Sequence, residues 1–174
     1  MKLFIASDLH GSAYYTELML NEFEASGASR LLILGDILYH GPRNDLPRDY
    51  APKKVAALLN GYADRIIAVR GNCEAEVDSL MLDFPPTPDY AAVFDGDTVM
   101  YLSHGHREIP KLSRGTVYLT GHTHIPHDYE KDGIRFINPG SVSIPKENSP
   151  HSAIVYEDGS FNWLNIETGK FYSL

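Results

Sequence analysis

Apolar residues in this chain come in short runs, each broken by glycine or a polar group. Residues 2–7, KLFIAS, read as a buried strand, and Ser12 offers an N-cap for a helix that extends to about Ser26, with Gly27 as its stop. RLLILG, residues 30–35, is a second strand. The loop YHGPRNDLPRDYAP then leads into a helix from Pro52, whose fixed φ suits a first helical turn. RIIAVRG follows as a third strand and EAEVDSLML as a short helix. Strands that alternate with helices predict a parallel sheet covered by helices.

The second half has a different rhythm. AAVFDGDTVMYLSHG, HDYEKDGIRFINPG and AIVYEDGSFNWLNI each place Asp-Gly between two strand-like runs, the signature of a hairpin, and TVYLTGH adds a further strand. These segments suit a second, mainly antiparallel sheet. The predicted fold class is α/β, a layered α/β/β/α sandwich with a mixed parallel sheet facing the antiparallel one. With 174 residues and no repeat or linker, residues 1–174 are expected to form a single domain.

Composition narrows the function. The longest apolar runs fall far short of the roughly 20 residues of a membrane helix, and no leader pattern precedes the first strand, so no membrane association is expected. Cys73 is the only cysteine, which excludes an internal disulfide and points to a reducing, cytoplasmic setting. A net charge of −8 without a basic stripe argues against a long nucleic acid as partner.

The chemistry gathers where strands end. FIAS is followed by Asp8 and His10, LLILG by Asp36, IIAVRG by Asn72, MYLS by His104, and VYLTG by His122 and His124. Ligand sites of open α/β sheets lie beyond the carboxyl ends of their strands, so these seven residues are expected to converge. Asp8/His10 and His122/His124 are spaced two apart, which in extended backbone projects both members to one side, about 6–7 Å apart. Carboxylate, amide and imidazole without thiolate suit Mn, Fe or Zn. Singly, each residue is an ordinary turn former; together, at five strand ends, they read as one metal site. His151 stands apart and reads as a structural histidine.

DLHG, GDILYHGPRN, GNC, SHGH, GHTH and NPGSVSIPK, in this order, resemble the motifs of the calcineurin-like metallophosphoesterases, and among them the small bacterial YfcE-like phosphodiesterases. The resemblance implies two divalent metal ions, Mn2+ foremost with Zn2+, Fe2+ or Ni2+ as alternatives. Asp8, His10 and His124 would hold one, Asn72, His104 and His122 the other, and Asp36 would bridge. Two such ions ~4 Å apart repel by about 17 kcal/mol at an effective dielectric of ~20, so anionic side chains must lie close to both. The implied reaction is hydrolysis of a small phosphodiester by a metal-bound hydroxide, with Asn72 helping to hold the phosphoryl oxygens.

Many relatives carry histidine where this chain has Cys73, so the proton donor to the leaving alcohol is open between Cys73 and His106. Weak protonation would favour esters whose alcohol leaves easily. His40 and Arg43, in the loop after Asp36, are candidate substrate contacts, with a plain solvated turn as the alternative. A phosphomonoesterase or nucleotidase remains a rival, as does a metal-free protein-interaction scaffold of the same fold. A homo-oligomer is compatible with the sequence but not demanded by any heptad pattern.

Overall fold

The computed structural model describes residues 1–84 and 88–174. Its elements run β1 (Lys2–Ala6), α1 (Ala13–Ser26), β2 (Arg30–Ile33), α2 (Pro52–Asn60), β3 (Ile66–Ala68), β4 (Tyr90–Asp95), β5 (Thr98–Ser103), β6 (Val117–Leu119), β7 (His127–Lys131), β8 (Ile134–Asn138), β9 (Ser152–Glu157), β10 (Ser160–Asn165) and β11 (Lys170–Tyr172). The expected helix signals operate: Ser12 Oγ accepts the Tyr15 N–H at 3.3 Å, Gly27 stops α1 at φ 69°, and Pro52 opens α2. EAEVDSLML yields only a 3-10 turn, Glu76–Leu80.

Two sheets result. One has the order β11-β10-β9-β1-β2-β3, the other β4-β5-β6-β8-β7. In the first, β1, β2 and β3 are parallel, while β9 lies antiparallel to β1 on its other side. The hairpin of residues 152–165 therefore extends the first sheet, where a place in the second was expected. The second sheet is also less antiparallel than expected. Its inner strands β5, β6 and β8 run parallel, and only the flanking pairs β4/β5 and β7/β8 are antiparallel. The hairpin turns are where expected, with positive φ at Asp132 and Gly133 and at Asp158 and Gly159. Those turns fix only their own hairpins. The long connections from β5 to β6 and from β6 to β8 return the chain to the same end, which gives parallel neighbours.

Alternation along the buried strands divides the core. Phe4, Ala6, Leu31, Ile33, Ala153 and Val155 face α1 and α2, packing on Met19, Phe23, Val55 and Leu59. Leu3, Ile5, Leu32, Leu34, Ile154 and Tyr156 point the other way, against Met100, Leu102, Leu119 and Ile137 of the second sheet. Each valine, leucine, isoleucine, phenylalanine or methionine among them contributes about 1.5–3 kcal/mol by leaving water. Both α-helices cover the first sheet. The result is the expected layered α/β sandwich of two mixed sheets with few helices, and among the described residues the α-helices lie on the first sheet. No helix is long and apolar enough to cross a membrane among the described residues.

Candidate metal centre

The carboxyl ends of β1, β2, β3, β5 and β6 open onto one cleft, and the loops that leave them turn sharply. Asp8, His10, Asp36, His122 and His124 all have φ between 46° and 67°. This left-handed region is uncommon for residues with a Cβ, and such outliers concentrate where structure over-determines a functional geometry. The two-apart pairs are therefore aimed by tight turns, not by the extended backbone expected for them. Close packing of the loops explains part of the local sequence. A Cβ on Gly35 would stand 2.6 Å from the Gly71 backbone nitrogen and 2.9 Å from His104 Nδ1.

Asp8, His10 and His124 are buried and present their ligand atoms within 4.8 Å of one another, as do Asp8, Asp36 and His104. His124 Nε2 lies 3.2 Å from both Asp8 Oδ1 and His10 Nε2, and His104 Nε2 lies 3.3 Å from Asp36 Oδ2. A third group joins His10 and Asp36 to Cys73, a thiol the sequence reading treated as a proton donor and not as a ligand. Asn72 Oδ1 is 3.1 Å from His104 Nε2. The His122 ring meets that of His104 edge-on with centroids 5.1 Å apart, and its backbone N–H donates to Asp8 Oδ2 at 3.1 Å.

Three imidazoles are oriented from behind. Nδ1 of His10 meets the Tyr39 carbonyl at 2.9 Å, that of His104 the Leu34 carbonyl at 2.7 Å, and that of His124 the Ile144 carbonyl at 2.6 Å. A carbonyl can only accept, so each Nδ1 carries the proton and each Nε2 offers its lone pair to the cleft. Asp8 Oδ1, buried in the same space, has no hydrogen-bond partner. A buried carboxylate oxygen surrounded by imidazole lone pairs is costly unless a cation meets it, so this donor set fits divalent ions.

Carboxylates and imidazoles also attract one another: burial works against the charged forms of Asp8, Asp36, His10 and His104, yet that attraction outweighs it. Both carboxyls fall below their ordinary range, His10 rises, and His104 is lifted to about 9. His106 and His122 are depressed by burial and then by the His104 charge. Burial, then the Asp36 carboxylate, pushes the Cys73 thiol up to about 12.

A cavity of about 390 Å³ opens over the cluster, lined by Asp36, Asn72, Cys73, His122 and His124 and also by Arg43 and Lys146. Arg43, a candidate substrate contact, is among the residues lining it. His40 is not among the residues lining this cavity; its ring packs edge-on against Tyr39 and Tyr50. His106 sits behind, its ring 5.4 Å from that of His104 and 6.1 Å from that of His122.

Asn138 is expected from the sequence to form, with Pro139 and Gly140, a structural turn near the site, whereas Glu74 and two serines that hold these loops were missed. Glu74, 8% exposed, accepts backbone N–H groups from Asp36 at 3.0 Å, from Ile37 at 2.6 Å and from Gly71. Ser141 and Ser143 both donate to the Asp8 carbonyl, and Asn138 Nδ2 donates to the Gly121 carbonyl at 2.7 Å. The available signal was that Glu74 directly follows GNC and that the serines sit within NPGSVS, polar residues with no turn to serve.

Comparison with known proteins gives a consistent picture. A family model described as calcineurin-like phosphoesterase superfamily domain matches residues 1–159. Phosphodiesterase YfcE of Escherichia coli strain K12 is 49% identical over 156 residues, 87% of this chain and 85% of that protein. A solved structure of YfcE, a phosphoesterase from E. coli, superposes with a TM-score of 0.95 at 43% identity, covering 99% of this chain and 97% of that one. Vps29 from Entamoeba histolytica complexed with Zn2+ shares the fold, with a TM-score of 0.66 at 18% identity over 99% of this chain and 96% of that one.

Proposed function

The chain belongs to the calcineurin-like phosphoesterase superfamily, and on that premise we propose that it is a metal-dependent phosphodiesterase acting on small phosphodiesters. The observation that carries this reading is the convergence of Asp8 Oδ1, His10 Nε2 and His124 Nε2, lone pair to lone pair, with each imidazole fixed from behind by a carbonyl. In this reading Asp8, His10 and His124 hold one divalent ion, Asn72, His104 and His122 a second, and Asp36 lies between. Mn2+ suits the oxygen and nitrogen donors, with Zn2+, Fe2+ and Ni2+ accepted by the same set.

Such ions, when bound, lower the pKa of water to near 7 and neutralise charge on the transferred phosphoryl group. The chain's own residues do the rest. Asp8 and Asp36 supply the compensating negative charge, Asn72 orients non-bridging oxygens of the ester, and Arg43 contacts the substrate from the cavity wall. Cys73, which lines the cavity, and His106, whose ring lies 5.4 Å from that of His104, are the side chains able to hold the proton for the departing alkoxide. The acidic surface supports a small substrate, and the lone cysteine supports a reducing, cytoplasmic setting. A scaffold with an eroded site would have lost ligands; all seven positions retain them.

The test is hydrolysis of bis(p-nitrophenyl) phosphate with added Mn2+. Turnover by the wild type, abolished in Asp36→Ala and His122→Ala with an unchanged far-UV spectrum, supports the reading. No turnover by metal-loaded wild type, with tight association to another protein instead, would select the scaffold.

A further inference from the structure

The cavity over the metal-ligating groups has an asymmetric wall. Asp36 and His124 are almost fully buried at its base, whereas Arg43 and Lys146 are exposed at its mouth. The two cations come from distant parts of the chain, the loop after β2 and the turn after NPGSVSIP. Among the described residues Arg43 and Lys146 pair with no carboxylate, as is true of most lysines and arginines here, but they are the two that line this cavity. In a chain of net charge −8, two unpaired cations at one opening create a local positive field.

Lys146 is not on a loose surface loop. Its N–H donates to the carbonyl of His124 at 3.3 Å, and its own carbonyl accepts from the Ser149 N–H at 3.0 Å and the Ser149 hydroxyl at 2.6 Å. Glu147 and Asn148 follow with φ of 53° and 60°, closing a tight turn. The backbone of Lys146 is thereby tied to the loop that carries His124. In the loop after β2, Asn44 Nδ2 donates to the His40 carbonyl at 2.8 Å and closes the segment that presents Arg43.

A plain phosphodiester carries one negative charge, and the metal-ligating base of the cavity answers it. Two further cations at the mouth are more than that charge requires. We propose that the substrate is a phosphodiester carrying a second anionic group, a carboxylate or a phosphate on one of its alcohols, and that Lys146, with Arg43 of the same cavity, binds that group. This rests on the phosphodiesterase reading and specifies its substrate class. A lysine at an open mouth binds as a point charge, so the effect falls on KM more than on kcat.

Three p-nitrophenyl phosphodiesters test it, alike except that the other alcohol bears a hydroxyl, a carboxylate or a phosphate, assayed with the Mn2+-loaded full chain. The expected result is a kcat/KM about tenfold higher for an anion-bearing ester than for the hydroxyl ester, expressed mainly in KM. The arm with the larger preference identifies the anion. That preference ratio should fall close to one in Lys146→Ala, persist in Lys146→Arg, and shrink with added NaCl. Equal use of all three esters by the wild type, or an undiminished ratio in Lys146→Ala, overturns the inference and leaves the phosphodiesterase reading standing. Failure of the loaded wild type to hydrolyse any of them removes that reading and this inference together.

Discussion

The carboxylate of Glu74 accepts the backbone N–H of Ile37 at 2.6 Å across 37 residues of sequence. With the N–H groups of Asp36 and Gly71 on its other oxygen, it ties the loop after β2 to the loop after β3, so Asp36 and Asn72 are held at one separation. An amide cannot replace it, because the Gln nitrogen would face backbone donors. Glu74→Gln is expected to cost about 2 kcal/mol of folding stability and to weaken metal affinity by roughly tenfold or more. Urea denaturation and calorimetric Mn2+ titration measure the two effects. Lost stability with unchanged affinity would make Glu74 a support of the fold alone.

Binding of ions to the cluster should be visible as thermal stability. At a free Mn2+ concentration about 100 times Kd, the folded chain gains about 2.7 kcal/mol, which for a chain of this size raises Tm by roughly 5–10 °C. Asp36→Asn and His124→Ala should each remove most of that rise, as should chelation of the wild type. A Tm indifferent to Mn2+, Zn2+, Fe2+ and Ni2+ alike would leave the convergent lone pairs without a purpose.

The proton donor can be separated by leaving group. His106 stands close behind the His104 and His122 rings, whereas Cys73 receives the Asn72 amide on its sulfur at 3.2 Å and is kept protonated by burial. Alkyl diesters need a proton on departure far more than aryl diesters do. Hydrolysis of alkyl diesters should be at least about 10²-fold slower, and removing the true donor should widen the gap by a further factor of about 10². Comparing His106→Asn with Cys73→Ser assigns the role. Equal rates on alkyl and aryl esters, with chemistry rate-limiting, would remove the leaving-group argument.

The seven converging residues were legible because each lies at a strand end, and the strands announce themselves by apolar runs. The i, i+2 pairs were found for the wrong reason. The sequence spacing is right, but Asp8, His10, His122 and His124 reach the cleft through left-handed turns that no periodicity reports. Placement of the hairpin 152–165 was illegible because Asp158-Gly159 specifies the turn and not the neighbour; pairing of Ile5 with Ile154 is a contact across the whole chain. Glu74 and Lys146 were likewise hidden, since their roles depend on loops that meet only after both sheets are assembled.

The ion pair of Asp128 on β7 with Arg135 on β8 offers a contrast outside the site. Arg135 donates twice, at 2.9 and 2.7 Å, and this hydrogen bonding holds the Asp128 carboxyl below its ordinary value of 3.8. A depressed carboxyl stabilises the fold above its unfolded pKa and loses that contribution as pH falls through the native one. Both groups are partly exposed, so screening keeps the worth below about 1 kcal/mol. Asp128→Asn should therefore lower stability by less than that at pH 7 and by almost nothing near pH 2. A pH series of urea midpoints for both proteins reads the difference directly.

Gly71 carries the sharpest steric prediction. It precedes Asn72, and a Cβ there would run into the Asp36 carboxylate while standing 2.5 Å from the Asp36 backbone nitrogen and 2.7 Å from Glu74 Oε2. Backbone cannot yield cheaply, and the carboxylates are fixed by the hydrogen bonds that set the site. Gly71→Ala must therefore displace Asp36, Glu74 or the whole loop, although the substitution is small and leaves every ligand in place. The expected outcome is loss of the Mn2+-induced rise in Tm and at least a 10²-fold fall in kcat/KM, comparable to removing a ligand. Gly27→Ala is the control, because its Cβ would meet nothing within 4 Å. It should cost only the strain of a left-handed alanine, about 1–2 kcal/mol, with metal binding intact. A Gly71→Ala protein that binds Mn2+ like the wild type would mean that the loops after β2 and β3 are free to move apart, and the rigid separation of Asp36 and Asn72 would have to be given up.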